Sequence, residues 1–516
     1  MVEDPRCYPT VGELFRYWAM RRPRAECVVD RGSGRRVTFG EMEERTNRLG
    51  HLLMERGCAQ GGVVALRSEN SAEVVEVFLA AAKVGAIVMP LNTRLVPGEL
   101  APLLERGRPR LAFEGGLTPI LSDAADSSLR VVTFGEEYES HLARQSSLPG
   151  PILPRLADPF LVLFTSGSTG QPKGSVSTHG NHFANMTNVA FDYFSLRDDD
   201  VALNIAPMFF SASLMGTIFP FIMRGLKVTI EPRIEVGAIV EAIEAEGCTC
   251  TQLVPTVLYR LLAQIDETKA CLTSLRRLGY GSAPIPPARL AEAIEGLGRS
   301  IFVQGYGATE TSFATVLRSD DHSAAKPERL KSCGRPVSAA RVDLRSLDGS
   351  RNEVPEGQAG EVVITGPVVT PGYWEDKQAT VEAFDGDWFR TGDVAIRDAD
   401  GYFYIVDRVK DMLISGGINI FPREVENVIS TLPAVSECAV IGVPDSEWGE
   451  SVKAFIVARP AQEVSVEEVH SVCRANLASY KKPRSVEVVE SLPHTATGKI
   501  DKRALRRQYW PTDCSL

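Results

Sequence analysis

Ten residues, Thr165 to Gly174, read TSGSTGQPKG and bring together the groups that bind anions. Thr165, Ser166, Ser168 and Thr169 supply hydroxyl donors, and Lys173 supplies a compact positive charge. Gly167, Gly170 and Gly174 are expected to let the backbone take φ > 0 and turn N–H groups toward an oxyanion. The chemistry implied is the holding of phosphates. A flexible Ser/Gly linker has a similar composition. Its flanks argue otherwise: the apolar run Phe160–Phe164 enters it like a buried strand, and a β-prone segment, Ser175–Thr178, leaves it toward a helix-like stretch from Asn181. A P-loop ATPase is excluded, because Pro172 precedes Lys173 and no Gly-Lys-Ser/Thr follows.

Four further motifs follow: YGATE at 306–310, FRTGD at 389–393, DRVKDMLISGG at 407–417 and TATGK at 495–499. In type and order the set resembles the adenylate-forming superfamily, which holds the acyl-CoA synthetases, firefly luciferase and the adenylation domains of peptide synthetases. The resemblance implies a large N-terminal AMP-binding domain at 1–406, a hinge at 407–410 and a small mobile α+β C-terminal domain at 411–516. It also implies roles. Tyr306 packs on adenine, with Ser282 and Ala283 of GYGSAP (279–284) on the adenine side; Thr309 binds phosphate and Glu310 holds Mg²⁺. Asp393 accepts from the ribose hydroxyls, Arg408 reaches ribose or phosphate, Lys410 is the pivot, and Gly416 and Gly417 line a pantetheine tunnel. Lys499 is the catalytic lysine. Read without the family, the same residues would pass for a solvated Thr-Glu at a strand end, a lone surface aspartate, a charged linker and an isolated exposed lysine.

The reaction implied is ATP-dependent activation of a carboxylic acid to an acyl-adenylate, then transfer to coenzyme A. One alternative stops at adenylation and hands the acyl group to an acyl carrier protein or partner ligase. Another is a non-catalytic sensor that binds nucleotide or acyl ligand. The acyl pocket implied by resemblance is lined by Phe210, Ser211, Ser213, Gly279, Gly305, Phe313 and Ala314, small or apolar and uncharged, as a bulky apolar or aromatic acid needs. Two departures narrow it. Phe210 stands where the family often has histidine, and Phe210-Ser211-Ala212-Ser213 lacks the aspartate that pairs with an α-ammonium in peptide-synthetase domains. A buried ammonium without a countercharge is costly, so an α-amino acid is disfavoured.

The elements that must position these residues follow from patterning. A chain of 516 residues exceeds one core. Residues 1–157 alternate helix and strand signals, with a strand at Val63–Arg67, a helix at Ala72–Val84 stopped by Gly85, and a strand at Ala86–Pro90. A second α/β series runs to about 320 and a small β-rich antiparallel subdomain from 333 to 406. The fold class is α/β, with two βα-layered subdomains in the large domain. A net charge of −10 without a basic block disfavours nucleic acid. Ten scattered cysteines fit a reduced, cytoplasmic protein, and Cys248 and Cys250 lack a partner pair for zinc. The acidic, h-region-free start predicts no signal peptide. Ala202–Met223 is apolar enough to resemble a membrane span, but Asn204, Pro207, Ser211, Ser213 and Pro220 predict folded core instead.

Overall fold

In the computed structural model the described residues are 9–124, 129–150, 154–165, 172–268, 272–281, 285, 287–297, 300–323, 326–415, 418–494 and 500–510. They form an α/β fold in two compact units, residues 1–342 with 364–389, and residues 343–363 with 390–516.

The first unit holds two sheets. A six-stranded sheet runs, in spatial order, Arg130–Thr133, Leu111–Gly115, Val63–Ser68, Ile87–Pro90, Pro159–Thr165 and Lys173–Thr178. Its neighbours are parallel except the last pair, which is a hairpin. Val63–Ser68 and Ile87–Pro90 are buried along their length, as parallel strands covered on both faces must be. The helix between them, Ala72–Val84, ends on Gly85 in the left-handed conformation (φ 70°). Short crossovers of this kind build the core but carry no chemistry.

A nine-stranded sheet runs Arg335–Pro336, Thr315–Leu317, Phe302–Tyr306, Arg277–Gly281, Cys250–Leu253, Val201–Asn204, Lys227–Ile230, Glu26–Asp30 and Arg35–Thr38. The two α/β series are therefore interleaved rather than consecutive. Strand Glu26–Asp30, expected in the first series, lies parallel to Lys227–Ile230 with Val28 opposite Val228. The hairpin of the phosphate loop belongs to the first sheet although it begins the second series. Alternating βα signals fix that strands are parallel but not which sheet takes each one. Ala202–Met223 folds as the strand Val201–Asn204 followed by short helical turns, and no described helix is long and apolar enough to cross a membrane. The helix expected from Asn181 begins at His179, capped by Thr178, with Asn181 completing the capping box from its third position.

In the second unit, strand Trp388–Arg397, most of which lies here, pairs antiparallel with Phe403–Arg408. Residues 413–510 form an α+β layer. The hairpin Val435–Asp445 and Gly449–Ala458 is extended by the parallel strand Ser485–Val488 and backed by helices Pro422–Ile429 and Val466–Asn476 around Val425, Ile429, Val440, Ile456 and Val469.

Candidate active site

The hairpin of the first sheet delivers the ends of the expected phosphate loop. Thr165 stands opposite Lys173, its hydroxyl 3.4 Å from the Lys173 carbonyl. Ser166, Gly167, Ser168, Thr169 and Gly170 lie outside the described residues. Gly174 corrects its expected role: it sits within a strand, not at positive φ. A Cβ there would meet Val162 Cγ1 at 2.9 Å and the Phe164 ring at 3.2 Å, so glycine is required by close packing.

A segment that carries no expected site residue organises this end. Residues 370–376, TPGYWED, run beside the outgoing strand: Val176 N–H donates to Gly372 O at 3.1 Å and Trp374 N–H to Gly174 O at 2.7 Å. The Thr370 hydroxyl donates to Val176 O at 2.6 Å. That pairing aims Tyr373 at both charges. Lys173 Nζ lies 5.1 Å from its ring centroid, and its hydroxyl donates to Glu310 Oε1 at 3.0 Å. Burial, then the charge of Glu310, pushes the Tyr373 phenol well above its usual range, so it stays a donor. The backbone of Glu310 is fixed as well, its carbonyl accepting from Thr370 N–H at 2.7 Å. Arg106 donates to Pro172 O at 2.9 Å and pairs with Asp376 at 2.6 Å, holding the loop's outgoing end to the same segment.

Tyr306 ends strand Phe302–Tyr306, and the turn after it presents Thr309 and Glu310. Thr309 Oγ1 lies 3.4 Å from Ser211 Oγ, so a residue expected at the acyl pocket meets one expected at phosphate.

On the acyl side, Phe210 is half-buried with its ring 4.4 Å from that of Phe209, at the start of the short helix Ser211–Ser213. The Ser213 hydroxyl is buried and donates to Asn204 Oδ1 at 2.7 Å. Gly279 and Gly305 share an aromatic cover. A Cβ at 305 would meet the Phe313 ring at 2.4 Å, and one at 279 would meet the Tyr193 hydroxyl at 2.3 Å. Tyr193 and Phe313 stack with centroids 4.5 Å apart. Ala314, fully buried, donates its N–H to Tyr306 O at 2.9 Å, which ties this cover to the tyrosine expected beside adenine.

In the second unit, Asp393 and Arg408 are opposite one another across the antiparallel pair, with Arg408 Nε 2.6 Å from Asp393 Oδ1. The preceding Asp407 is buried and accepts from the N–H groups of Arg408 and Arg423 at 2.7 and 2.9 Å. Lys410 is exposed, desolvation by the neighbouring chain lowers its pKa, and Arg506 donates to the carbonyls of Lys410 and Asp411 at 2.7 and 2.8 Å. Ser282, Ala283, Gly416, Gly417 and Lys499 lie outside the described residues.

Sequence reasoning missed Tyr373, Arg106, Asp376, Tyr193 and Arg506. The run TPGYWED carried a visible signal, an aromatic pair after Pro-Gly. Tyr193 carried none, because an aromatic residue on an apolar helix reads as core.

A carboxylate and a lysine joined through one phenol, with an apolar wall floored by Gly279 and Gly305, make up the candidate site. Residues 15–374 match the family model described as AMP-binding enzyme, and residues 424–499 match the AMP-binding enzyme C-terminal domain. The chain belongs to the AMP-binding enzyme family, the adenylate-forming enzymes. It is 38% identical over 495 residues to a feruloyl-CoA synthase from an Amycolatopsis species, covering 95% of this chain and 98% of that protein. It is 35% identical over 514 residues to the long-chain-fatty-acid–CoA ligase FadD13 of Mycobacterium tuberculosis, covering 97% and 99%. Among solved structures it is similar to a Mycobacterium tuberculosis fatty acyl CoA synthetase, with a TM-score of 0.78, 33% identity and coverage of 97% and 98%.

Proposed function

We infer that this protein is an AMP-forming acid–thiol ligase that activates a carboxylic acid with ATP and transfers the acyl group to coenzyme A. The observation that carries this reading is the Lys173–Tyr373–Glu310 arrangement, with Thr309 within reach of Ser211. It supports a reading in which phosphate binding and the start of the acyl wall fall to neighbouring side chains.

A carboxylate does not exchange with a thiol in water, because its leaving group is poor. Attack on the α-phosphate of ATP expels pyrophosphate and leaves an acyl-adenylate, whose AMP is an adequate leaving group. Charge accumulates on phosphate oxygens during that attack, so fixed donors placed beforehand contribute most. Lys173 and Thr309 supply such donors, Tyr306 supplies a face for adenine, and Asp393 with Arg408 supplies the ribose contacts. Glu310 would hold Mg²⁺, since a carboxylate oxygen is the hard ligand this ion takes. When bound, the ion neutralises phosphate charge. Lys499 is the proposed cation between carboxylate and α-phosphate. The thiol must later act where Lys499 did, so Lys410 is the proposed pivot, with Gly416 and Gly417 lining the path of pantetheine. The acid is bulky and apolar or aromatic, and the setting is the cytoplasm.

The test is ATP–pyrophosphate exchange across a panel of apolar and aromatic carboxylic acids, repeated with coenzyme A while AMP and thioester are followed. Exchange with at least one acid and its CoA thioester as product is the expected result. Exchange without thioester formation would move the second step to an acyl carrier protein or partner ligase, and absence of exchange with every acid would overturn the reading.

A further inference from the structure

The acyl side holds two buried polar groups that the fold itself does not use. Tyr193 closes a π-helical turn, Val189–Tyr193, and only 1% of its surface is exposed. Its ring stacks on Phe313, yet among the described residues its hydroxyl has no hydrogen-bond partner. That hydroxyl rests 2.3 Å from where a Cβ at position 279 would be.

Gln252 carries the second group. It is paired in register with Gly279 on the neighbouring parallel strand, which sends the side chain of residue 252 to the same face of the sheet as position 279. Its Oε1 is also buried, without a partner among the described residues, and lies 2.1 Å from where a Cβ at position 216 would be. Gly216 belongs to a second π-helical turn, Leu214–Ile218.

Each feature is unfavourable for the fold alone. A buried hydroxyl or amide oxygen without a partner loses its hydration for nothing, glycine weakens a helical turn, and π turns are rare outside functional sites. Their coincidence on one face has a chemical answer. A ligand hydroxyl can donate to the Gln252 carbonyl and accept from the Tyr193 O–H at once. The Tyr193–Phe313 stack beside them suits a flat ring.

Building on the acid-activation reading above, we propose that Tyr193 and Gln252 form the far end of the acyl pocket, and that the acid is aromatic and carries a hydroxyl group remote from its carboxylate. A site built to bond a hydroxyl discriminates strongly against the analogue that lacks it, because its own polar groups are then left unpaired.

The test uses the full chain and matched acids, 4-hydroxycinnamic against cinnamic and 4-hydroxybenzoic against benzoic, with kcat/KM read from pyrophosphate release. The wild type is expected to favour the hydroxylated member of at least one pair by about tenfold or more. Tyr193→Phe should reduce that preference by about tenfold, with the change falling mainly in KM for the hydroxylated acid. Gln252→Leu provides the same reading from the other partner and decides the matter if the first variant fails to fold. Indifference of the wild type to the hydroxyl, or an unchanged preference in the folded variants, would overturn the proposal while leaving acid activation standing. Failure of every acid to release pyrophosphate would overturn both.

Discussion

The two ends of the first unit's site treat their polar groups in opposite ways. At the phosphate end Tyr373 is committed to Glu310, Thr370 to the carbonyls of Val176 and Gly372, and Arg106 to Asp376 and the carbonyl of Pro172. At the proposed acyl end Tyr193 and Gln252 keep a buried hydroxyl and a buried carbonyl that no described residue satisfies, each against a glycine. The proposed roles of the two ends account for the difference. Phosphate chemistry is the same for every turnover and gains from donors fixed in advance. Selecting one acid requires groups whose pairing is completed only by that acid.

The largest effect is expected where the fixed end meets the reaction. Glu310→Gln keeps the side chain's size and an acceptor for Tyr373, but removes the negative charge. Pyrophosphate exchange should fall by about 10²–10³, the scale of losing one preorganised electrostatic contact, while the thermal midpoint stays near that of the wild type. Retained exchange would mean that this end is merely structural.

Next comes a change that fills the open end. Gly279→Ala places a methyl group within 2.3 Å of the Tyr193 hydroxyl, which is seated in a packed stack and cannot swing away cheaply. Overpacking costs about 1–3 kcal/mol, so kcat/KM for the preferred acid should fall roughly 10- to 100-fold. If the contrast between the ends is real, that loss belongs to the acid's KM and spares KM for ATP. Equal losses in both would merge the two ends into one packing unit.

How much of this was readable beforehand depends on whether local pattern or long-range pairing decides. The strand, loop and strand around Thr165 and Lys173 were legible because apolar runs flank a glycine- and hydroxyl-rich stretch, and the turn bearing Thr309 and Glu310 was legible from its motif. Their connection was not. Tyr373 reaches Lys173 and Glu310 only because residues 370–376 lie along the strand at 173–176, two hundred residues earlier in the chain. The placing of Glu26–Asp30 beside Lys227–Ile230 was invisible for the same reason. Gly174 misled because a glycine needed for close packing and one needed for positive φ have the same letter. Asp393 and Arg408 were foreseen separately from two motifs, and their pairing across one hairpin is what turns two motifs into one feature.

Tyr373→Phe sharpens the comparison further by removing one hydroxyl from the committed end. The ring stays under Lys173, so only the donor to Glu310 is lost. A hydrogen bond to a charged acceptor contributes about 1.5 kcal/mol, so exchange should fall about tenfold, in kcat more than in either KM. The counterpart change at the other end, Tyr193→Phe, should leave a hallmark of the opposite kind, a lost preference among acids. Similar kinetic signatures from the two tyrosines would remove the distinction.

The smallest effect at neutral pH concerns buried polar atoms that belong to neither end. His179 and His182 are almost wholly buried, and their ring nitrogens lack partners among the described residues. His179 stacks on Phe160 at 5.0 Å, and His182 meets Phe160 and Phe219 edge-on at 5.1 and 4.9 Å. Burial lowers their pKa values to about 4 and about 3. Both folded values lie below the unfolded value near 6.5, so below that pH the unfolded chain binds more protons and stability falls as pH falls. Above about pH 7 the two groups contribute no pH dependence. Between pH 6.5 and 5 each can cost up to about 1.4 kcal/mol per pH unit, read as a declining urea midpoint. His182→Phe should flatten that decline. A hydroxylated aromatic acid that raises the midpoint by pairing with Tyr193 and Gln252 should raise it equally at pH 7 and pH 6, because it does not touch the histidines. A ligand effect that grows on acidification would place the histidines within the acyl end and break the division between polar groups kept for the substrate and polar groups simply buried by the core.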